Sequence, residues 1–396
     1  MIAAQETFVC LEERRSKRPL IGRILSQLGE PLWLNMPPLG WRAYAETSQR
    51  ASEAYLRGTD PASDGVKRSL KLKLLAWQYN GARRYFETHP RHIAVAWNAT
   101  AGPRYVFMQA AKDAGAKCLF LELGPFRGTL TADPKGVNFL NGLPRAIDPY
   151  VKWSQDTPAD EGVKSWRQIG QEITQRAAHK PRAKADINPP PNPLAEGPFL
   201  FAPLQYPGDS QLRIFGGAYR TVTQFVEGLI AASSALPEGW HIRIKEHPSA
   251  PQTATDGLTR LCAGTRVILD NTTDTFAQVR AAQAVVTVNS SVGLEAMLLE
   301  KPVIACGECF WAIETIAHHA ADTEALATHF KHPQTLTFSA ENRDVYLRFL
   351  TQTYYPRVND PTVSDQAFAA ECAKIADRLS SASISPIWAP VSGVTV

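Results

Sequence analysis

Residues 284–305 read AVVTVNSSVGLEAMLLEKPVIA, and this stretch decides the fold. The apolar run 284–288 predicts a short strand, 292–299 has the length and spacing of a helix, and 302–305 predicts another strand. Polar residues are concentrated at the junctions between these elements. A strand, a helix and a second strand in such close succession are typical of a parallel sheet with crossover helices.

The same alternation continues on both sides of this stretch. In the second half of the chain it predicts strands at 199–202, 241–245 and 267–269, and helices at 221–236, near Leu258 and at 276–281. In the first half it predicts helices at 67–86, 103–114 and 166–178, and strands at 93–96 and 117–121. We therefore expect an α/β protein with two Rossmann-like, doubly wound domains.

A proline-rich segment separates the two halves. Residues 188–198 read NPPPNPLAEGP, which is incompatible with a helix or a central strand. The predicted organisation is a first domain at 1–187, a linker at 188–198, a second domain at 199–379 and a disordered tail at 380–396. Two such domains facing each other across a cleft would form a GT-B-like arrangement.

Composition excludes several classes of protein. The chain has 396 residues, 44% hydrophobic and 20% charged, and a net charge of +4, which suits a globular protein rather than a dedicated nucleic-acid binder. Basic residues cluster at two places: Arg14, Arg15, Lys17, Arg18 and Arg23, and then Lys67, Arg68, Lys71 and Lys73. Such clusters indicate solvated helix faces or, alternatively, contact with an anionic membrane or acceptor.

Several other signals are absent from the sequence. The start, MIAAQETFVCLEERR, lacks the charged and apolar blocks typical of a signal peptide, and no apolar run reaches the roughly 20 residues that span a membrane. We therefore expect a cytoplasmic protein with at most peripheral membrane contact. Of six cysteines, only Cys306 and Cys309 have CxxC spacing, without partners for a zinc site, which predicts reduced thiols. GxGxxG, Walker and GxSxG motifs do not occur.

Two loops of the second domain suit a phosphate. Lys245-Glu246-His247-Pro248 follows a predicted strand, with Lys245 and His247 expected on one face, Glu246 on the other, and Pro248 ending the strand. Ligands of open α/β sheets bind beyond the carboxyl ends of the strands. A His-Pro pair also occurs in ordinary structural turns, which is the alternative interpretation of this loop.

The second of these loops is Asn289-Ser290-Ser291-Val292-Gly293-Leu294-Glu295. Asn289 or Ser290 is expected to cap the following helix, whose first N–H groups and hydroxyls suit an anion. Glu295 lies about one turn into the helix, where it can accept ribose hydroxyls. A plain helix cap with an acidic first turn is the structural alternative.

Two further loops carry candidate catalytic carboxylates. Gln205-Tyr206-Pro207-Gly208-Asp209-Ser210-Gln211-Leu212-Arg213 follows the strand that opens the second domain, and Asp209 can act there as nucleophile or base. In the first domain, Glu122 follows the strand at 117–121, where a catalytic acid or base is expected. An Asp-Ser turn and an exposed loop carboxylate are the structural alternatives.

Together these segments resemble the capsule polysaccharide synthesis/export family, which includes retaining β-Kdo glycosyltransferases. The resemblance runs from Trp97 to Tyr355 and follows the order of the family's motifs. It rests on Glu122-x-Gly124-x-x-Arg127, Gly136-Val137-Asn138, Leu143-Pro144-Arg145, Leu204-Gln205, Asp209-Ser210-Gln211, His247-Pro248, Asn289-Ser290-Ser291, Lys301-Pro302 with Gly307, and Phe349-Leu350 to Tyr354-Tyr355. The start of the chain, ETFVCLEERRSKRPLIG, departs from the strand and Gly-rich turn common in the family.

The resemblance implies a CMP-sugar donor and no metal or other cofactor. The His-Pro and Ser-Ser pairs are also similar to those of bacterial GT-B sialyltransferases. On this basis His247 with Ser290 or Ser291 would hold the CMP phosphate with help from Lys245, and Glu295 would bind the ribose. Pro248 and Asn289 belong to the same donor-binding set.

The resemblance also implies a retaining mechanism. Asp209 would be the nucleophile, and Glu122 would be the base that activates the acceptor hydroxyl. Gln205, Ser210, Gln211 and Arg213 would orient the donor or pair with its carboxylate.

The function implied is transfer of Kdo from CMP-Kdo to a lipid or glycan acceptor at the inner face of the cytoplasmic membrane, beside capsule assembly and export proteins. Three alternatives remain at this point. They are transfer of another CMP-activated ulosonic acid such as sialic acid, a non-catalytic export or scaffold component, and, remotely, an NDP-sugar epimerase.

Overall fold

The computed structural model describes residues 6–11, 17–58, 67–175 and 196–380. The chain divides into two compact units, residues 1–143 with 353–396 and residues 144–352. Each unit has its own sheet, so the expected α/β class with two Rossmann-like domains is confirmed.

The first unit contains a sheet in the strand order β2-β1-β3-β4-β5. Its strands pair in parallel, except for the edge strand β5, which is antiparallel to β4. Its elements are β1 (Thr7–Leu11), α1 (Arg18–Leu28), β2 (Glu30–Leu34), α2 (Thr47–Gly58), α3 (Lys67–Thr88), β3 (Ile93–Trp97), α4 (Gly102–Asp113), β4 (Cys118–Leu123) and β5 (Leu130–Asp133).

Helices cover both faces of this sheet because the side chains of β1 alternate. Val9 and Leu11 belong to the apolar core that includes α2, α3 and α4. Phe8 and Cys10 belong to the core on the opposite face, formed with α1 and with a helix near the end of the described chain, residues Asp365–Leu379. The first unit is therefore doubly wound.

The second unit contains a sheet in the order β11-β10-β9-β6-β7-β8, in which the pairs are parallel. The elements up to this sheet's edge are α5 (Asp148–Asp156), α6 (Trp166–Gln175), β6 (Phe199–Pro203), α7 (Ser210–Phe215), α8 (Val222–Ser233), β7 (His241–Lys245), α9 (Gln252–Cys262), β8 (Val267–Leu269), α10 (Thr275–Ala281), β9 (Ala284–Thr287), α11 (Ser291–Leu298), β10 (Val303–Ala305) and β11 (His318–His319). Helices α12 (Thr323–Phe330), α13 (Ala340–Phe349) and α14 (Asp365–Leu379) follow.

The division between the units differs from the expected boundary at 187/188. Tyr150 of α5 packs edge-on against Tyr346 and Phe349 of α13, with ring centroids 5.0 and 5.2 Å apart, so α5 joins the second unit. Conversely, α14 joins the first unit, where the Arg23 guanidinium lies 3.9 Å from the Phe368 ring centroid. Most of the expected linker and nearly all of the expected tail lie outside the described residues.

The predicted strands of the second unit agree closely with the structure. Residues 241–245 and 267–269 are strands with the expected bounds.

The first 35 residues gave no predicted element, yet they contain β1, α1 and β2, with β1 paired on both sides. The opening segment therefore does contain a strand, contrary to the expectation for ETFVCLEERRSKRPLIG.

The six cysteines are free and buried. Burial raises the pKa of Cys10 to about 12 and that of Cys262 to about 11, so these thiols stay protonated and serve as apolar core residues. No helix within the described ranges is long and apolar enough to cross a membrane.

Candidate functional site

The residues expected to bind the sugar donor lie together at the carboxyl ends of the strands of the second sheet. Strands β9, β6 and β7 are neighbours and run in parallel, so the loops after their carboxyl ends lie side by side. These loops carry Asn289, then Gln205 with Asp209, then His247. The three motifs of the second unit therefore lie together beyond the carboxyl ends of these strands, where ligands of open α/β sheets bind.

A hydrogen-bonded chain links Asn289, Gln205 and Asp209. The buried Gln205 amide nitrogen donates to Asn289 Oδ1 at 2.9 Å and to Asp209 Oδ2 at 3.3 Å. The other oxygen of Asp209, Oδ1, accepts the backbone N–H of Gln211 at 2.9 Å and caps α7. Both carboxylate oxygens are thus fixed by donors, which orients the half-buried Asp209 side chain.

Asn289 joins the loop after β9 to the loop after β6 and to helix α7. Its amide nitrogen donates to the carbonyl oxygens of Gln211 at 3.1 Å and Phe215 at 3.2 Å, at the two ends of α7. Its backbone N–H donates to Gln205 Oε1 at 3.4 Å. These bonds to Gln205, Gln211 and Phe215 suit Asn289 to position the loop that carries Asp209.

Polar side chains at the start of α11 lie at the same end of the sheet. Ser290 is the cap, and its Oγ accepts the Val292 N–H at 3.2 Å. Ser291 is exposed at the first position of the helix, and Glu295 is half-buried about one turn further on. Ser210 and Arg213 are likewise half-buried in α7, which begins directly after Asp209.

One ring nitrogen of His247 accepts a hydrogen bond from the backbone of its own loop. Its Nδ1 accepts the backbone N–H of Ser249 at 3.1 Å, which places the proton of the neutral ring on Nε2. Burial lowers the pKa of His247, and the negative charge of Asp209 offsets part of that effect. At neutral pH the ring is therefore a neutral Nε2–H donor. The Tyr206 ring packs edge-on against it, with centroids 5.9 Å apart.

Lys245 and Glu246 bind the loop after β8. The Lys245 ammonium donates to the carbonyl oxygens of Asn271 at 2.8 Å and Thr273 at 2.7 Å. Glu246 is buried, and its Oε2 accepts the Asn271 amide at 2.7 Å. Because the strand ends at Lys245, the expected alternation does not continue, and Glu246 lines the same cavity as His247. Pro248 is exposed.

That cavity has a volume of about 500 Å³ and opens beside the carboxyl ends of β6 and β7. The starts of α8 and α9 form its far side, with Val222, Ala254 and Leu258 among its apolar residues and Thr221 and Thr253 among its polar ones. A mostly apolar hollow of this size, with a few polar groups at one side, is typical of a small-molecule site.

Glu122 lies in the first unit, at the carboxyl end of β4. Its Oε2 accepts the Asn98 amide at 2.8 Å and its Oε1 accepts the Leu123 N–H at 2.9 Å. Burial raises the pKa of the Glu122 carboxyl, and these two donors and the Lys17 charge offset part of the increase. A carboxyl with a raised pKa is suited to proton transfer near neutral pH.

Asn98 and Asn271 contact the candidate site residues Glu122 and Glu246, and no sequence motif indicated them. Asn98 and Ala99, directly after β3, have φ of 62° and 57°, in the left-handed region that is unfavourable for alanine. This turn lets Asn98 donate to Glu122 while its Oδ1 accepts the Thr100 hydroxyl at 2.5 Å. Both asparagines follow strand ends, and that position was the signal available in the sequence.

Comparisons with known proteins agree with the motif pattern. A model of the capsule polysaccharide biosynthesis protein family matches residues 172–357, so the resemblance to that family is confirmed over this range, which contains Asp209, His247 and Ser290. Protein FixF of Sinorhizobium fredii is 30% identical over 230 residues, 58% of this chain. The chain spans about half the length of that relative, since the match covers 52% of it.

Two solved structures are similar at lower identity. The β-Kdo 2,7 transferase of KpsC from Thermosulfurimonas dismutans is 14% identical with a TM-score of 0.45, covering 87% of this chain and 89% of that one. The β-Kdo 2,4 transferase of the same protein is also 14% identical with a TM-score of 0.44, covering 86% and 97%.

Proposed function

We propose that this protein is a glycosyltransferase that moves Kdo from CMP-Kdo to a lipid or glycan acceptor in capsule or surface polysaccharide synthesis, with retention of configuration. The observation that carries the proposal is the meeting of Asp209, His247 and Ser290 at one sheet edge of the second unit. These residues all lie within the range that the capsule biosynthesis family model matches.

The donor phosphate is proposed to bind between His247 and the start of α11. Neutral His247 supplies its Nε2–H, and Ser290 and Ser291 supply hydroxyl and backbone donors at a helix N-terminus. One phosphate carries little charge, so the proposal involves no metal. Glu295 would accept hydrogen bonds from the ribose hydroxyls, while Lys245 would act indirectly, because its ammonium group holds the loop after β8.

Catalysis is proposed to follow two displacements. A carboxylate oxygen of Asp209 attacks the anomeric carbon, the bond from that carbon to the phosphate oxygen breaks, and CMP leaves. Glu122 then takes the proton of the acceptor hydroxyl, whose oxygen attacks the same carbon and releases Asp209. Two inversions give net retention. Arg213 and Gln211 would orient the sugar carboxylate.

The first test is calorimetric titration of the purified protein with CMP, with UDP and GDP as controls. We expect selective binding of CMP, because the donors at this edge are proposed to fit a monophosphate ester. Turnover with CMP-Kdo, and not with CMP-sialic acid, would then identify the sugar. Binding of UDP in preference to CMP, or of none of the three, would contradict the proposal.

Replacement of His247 should weaken donor binding. For His247→Ala we expect CMP affinity to fall by roughly 10- to 100-fold, since a hydrogen bond to a charged group contributes about 1.5–3 kcal/mol. His247→Gln should recover part of this loss, because its amide can still donate. His319→Gln, at an exposed position of the edge strand β11, is the matched control. Unchanged affinity in His247→Ala would remove this residue from the phosphate site.

Replacement of Glu122 should arrest the reaction after its first step. In Glu122→Gln we expect acceptor transfer to fall by about 10²-fold or more, because the general base is lost. The wild-type rate should fall as the pH decreases through the raised pKa of Glu122, since only the ionised carboxylate takes a proton. The pH–rate profile measures this limb. An unchanged acidic limb in Glu122→Gln would show that another group is the base.

A further inference from the structure

An exposed apolar stripe runs along the outer face of α3. Leu70, Leu74 and Trp77 have relative exposures of 68%, 42% and 36%. Their spacing of i, i+4 and i+7 places them on one side of the helix. The opposite side, which includes Leu75 and Tyr79, is buried in the core of the first unit. The helix therefore has apolar residues on both faces, and the core needs only one of them.

Trp41 extends this stripe beyond the helix. It is 73% exposed, and its ring packs edge-on against Trp77 with centroids 4.6 Å apart. The loop that carries it is held against α3, since Gly40 N–H donates to the Trp77 carbonyl at 2.9 Å. At Gly81 a Cβ atom would lie 2.1 Å from the Pro38 carbonyl oxygen, so the loop and helix are in backbone contact. The position of Trp41 is thus built into the fold.

Positive charges flank the stripe on both sides. At 100° per residue, Lys67 and Lys71 lie on one flank of the Leu70–Leu74–Trp77 line, and Lys73 lies on the other. All three lysines are exposed, as is Arg68. The helix sequence contains no Asp or Glu before Glu87. The combined surface is therefore apolar along its centre and cationic at its borders.

We call this surface the α3 face; it consists of Trp41, Leu70, Leu74 and Trp77 with Lys67, Lys71 and Lys73. We propose that the α3 face docks the protein on an anionic lipid bilayer. The leucines and tryptophans would enter the boundary between headgroups and acyl chains, and the lysines would contact lipid phosphates. Docking would keep the first unit at the bilayer surface.

Charge and composition favour a bilayer over a protein partner. Interfaces between proteins are depleted of lysine, whereas helices that lie in the membrane interface combine a lysine-bearing polar region with exposed Leu and Trp. Tryptophan is also enriched at the headgroup level of membranes. The proposal is independent of the catalytic assignment, because it uses none of the residues in the candidate site.

The test is co-sedimentation of the full chain with vesicles of phosphatidylcholine, with and without phosphatidylglycerol. We expect binding to the anionic vesicles and at least about tenfold weaker binding to the neutral ones, with loss of much of the affinity in molar salt. In Leu70→Gln/Leu74→Gln, binding should fall at least about tenfold at every salt concentration. In Lys67→Gln/Lys73→Gln, the salt dependence should become shallower.

Matched variants separate docking from general effects on charge and folding. Arg280→Gln/Lys331→Gln removes two exposed charges of the second unit, and Leu123→Gln removes an exposed leucine from β4. These controls should bind vesicles as the wild type does, and every variant should keep the wild-type thermal midpoint.

Two results would overturn the proposal. One is vesicle binding that Leu70→Gln/Leu74→Gln leaves unchanged. The other is a dimer in sedimentation velocity that the same variant converts to a monomer without any difference in vesicle binding, which would make the α3 face a contact between two copies of the chain.

Discussion

Asp209→Asn should abolish sugar transfer while leaving the protein folded. An asparagine at this position can still cap α7 by accepting the Gln211 N–H, and it loses only the bond from Gln205 to Oδ2. We expect a stability cost of about 1 kcal/mol and a fall in turnover of roughly 10³-fold or more, because the nucleophile is removed. CMP affinity should change little. Steady-state kinetics and calorimetry measure the two quantities separately.

Asp274→Asn is the matched control for this substitution. Asp274 is likewise a helix cap, and its Oδ1 accepts the N–H groups of Phe276 and Ala277 at the start of α10. It should retain wild-type turnover. Mass spectrometry adds a direct test: Glu122→Gln incubated with CMP-Kdo should carry one sugar residue, and Glu122→Gln/Asp209→Asn should carry none. Normal turnover in Asp209→Asn would exclude it as nucleophile.

Replacement of Asn289 should have the largest effect on stability among the site residues. Asn289→Ala removes three side-chain hydrogen bonds that join Gln205, Gln211 and Phe215. We expect the free energy of unfolding to fall by roughly 2–3 kcal/mol, with kcat reduced because Gln205 no longer fixes Asp209. Chemical denaturation and kinetics on the folded fraction measure the two effects.

Asn289→Asp distinguishes hydrogen bonding from shape. Aspartate has the same size, but it cannot donate to the two carbonyl oxygens and would place a negative charge against them. We therefore expect Asn289→Asp to be at least as unstable as Asn289→Ala. Asn342→Ala, which loses one bond to the Thr315 hydroxyl, is the control and should cost less than about 1.5 kcal/mol. A neutral Asn289→Asp would mean that the amide donates to neither carbonyl.

The sequence predicted the second unit better than the first. Its strands are apolar runs with clear helices between them, and 241–245 and 267–269 have the expected bounds. The edge strand β2 reads EPLWL, and its charged and proline residues make it resemble a loop. The placement of α14 on the first unit depends on contacts between residues far apart in sequence, such as Arg23 with Asp365, and no local pattern predicts these.

The sequence likewise predicted only part of the candidate site. The rule that ligands bind beyond strand ends was sufficient to group Gln205, His247 and Asn289. It did not predict that the Lys245 ammonium would turn to the carbonyls of Asn271 and Thr273, because that choice depends on a neighbouring loop. Hydrogen-bond partners between loops are set by the assembled sheet, and sequence spacing does not encode them.

The position of α14 fixes an order of assembly during synthesis. Residues 144–352 form the second unit as one continuous stretch, whereas the first unit needs residues from both sides of it. Phe368, Cys372 and Ile375 complete the core around Phe8 and Cys10. As the chain leaves the ribosome, the second unit has all its residues before the first does. The part of the first sheet's apolar face that α14 covers, beside α1, therefore stays exposed to solvent until α14 has been translated.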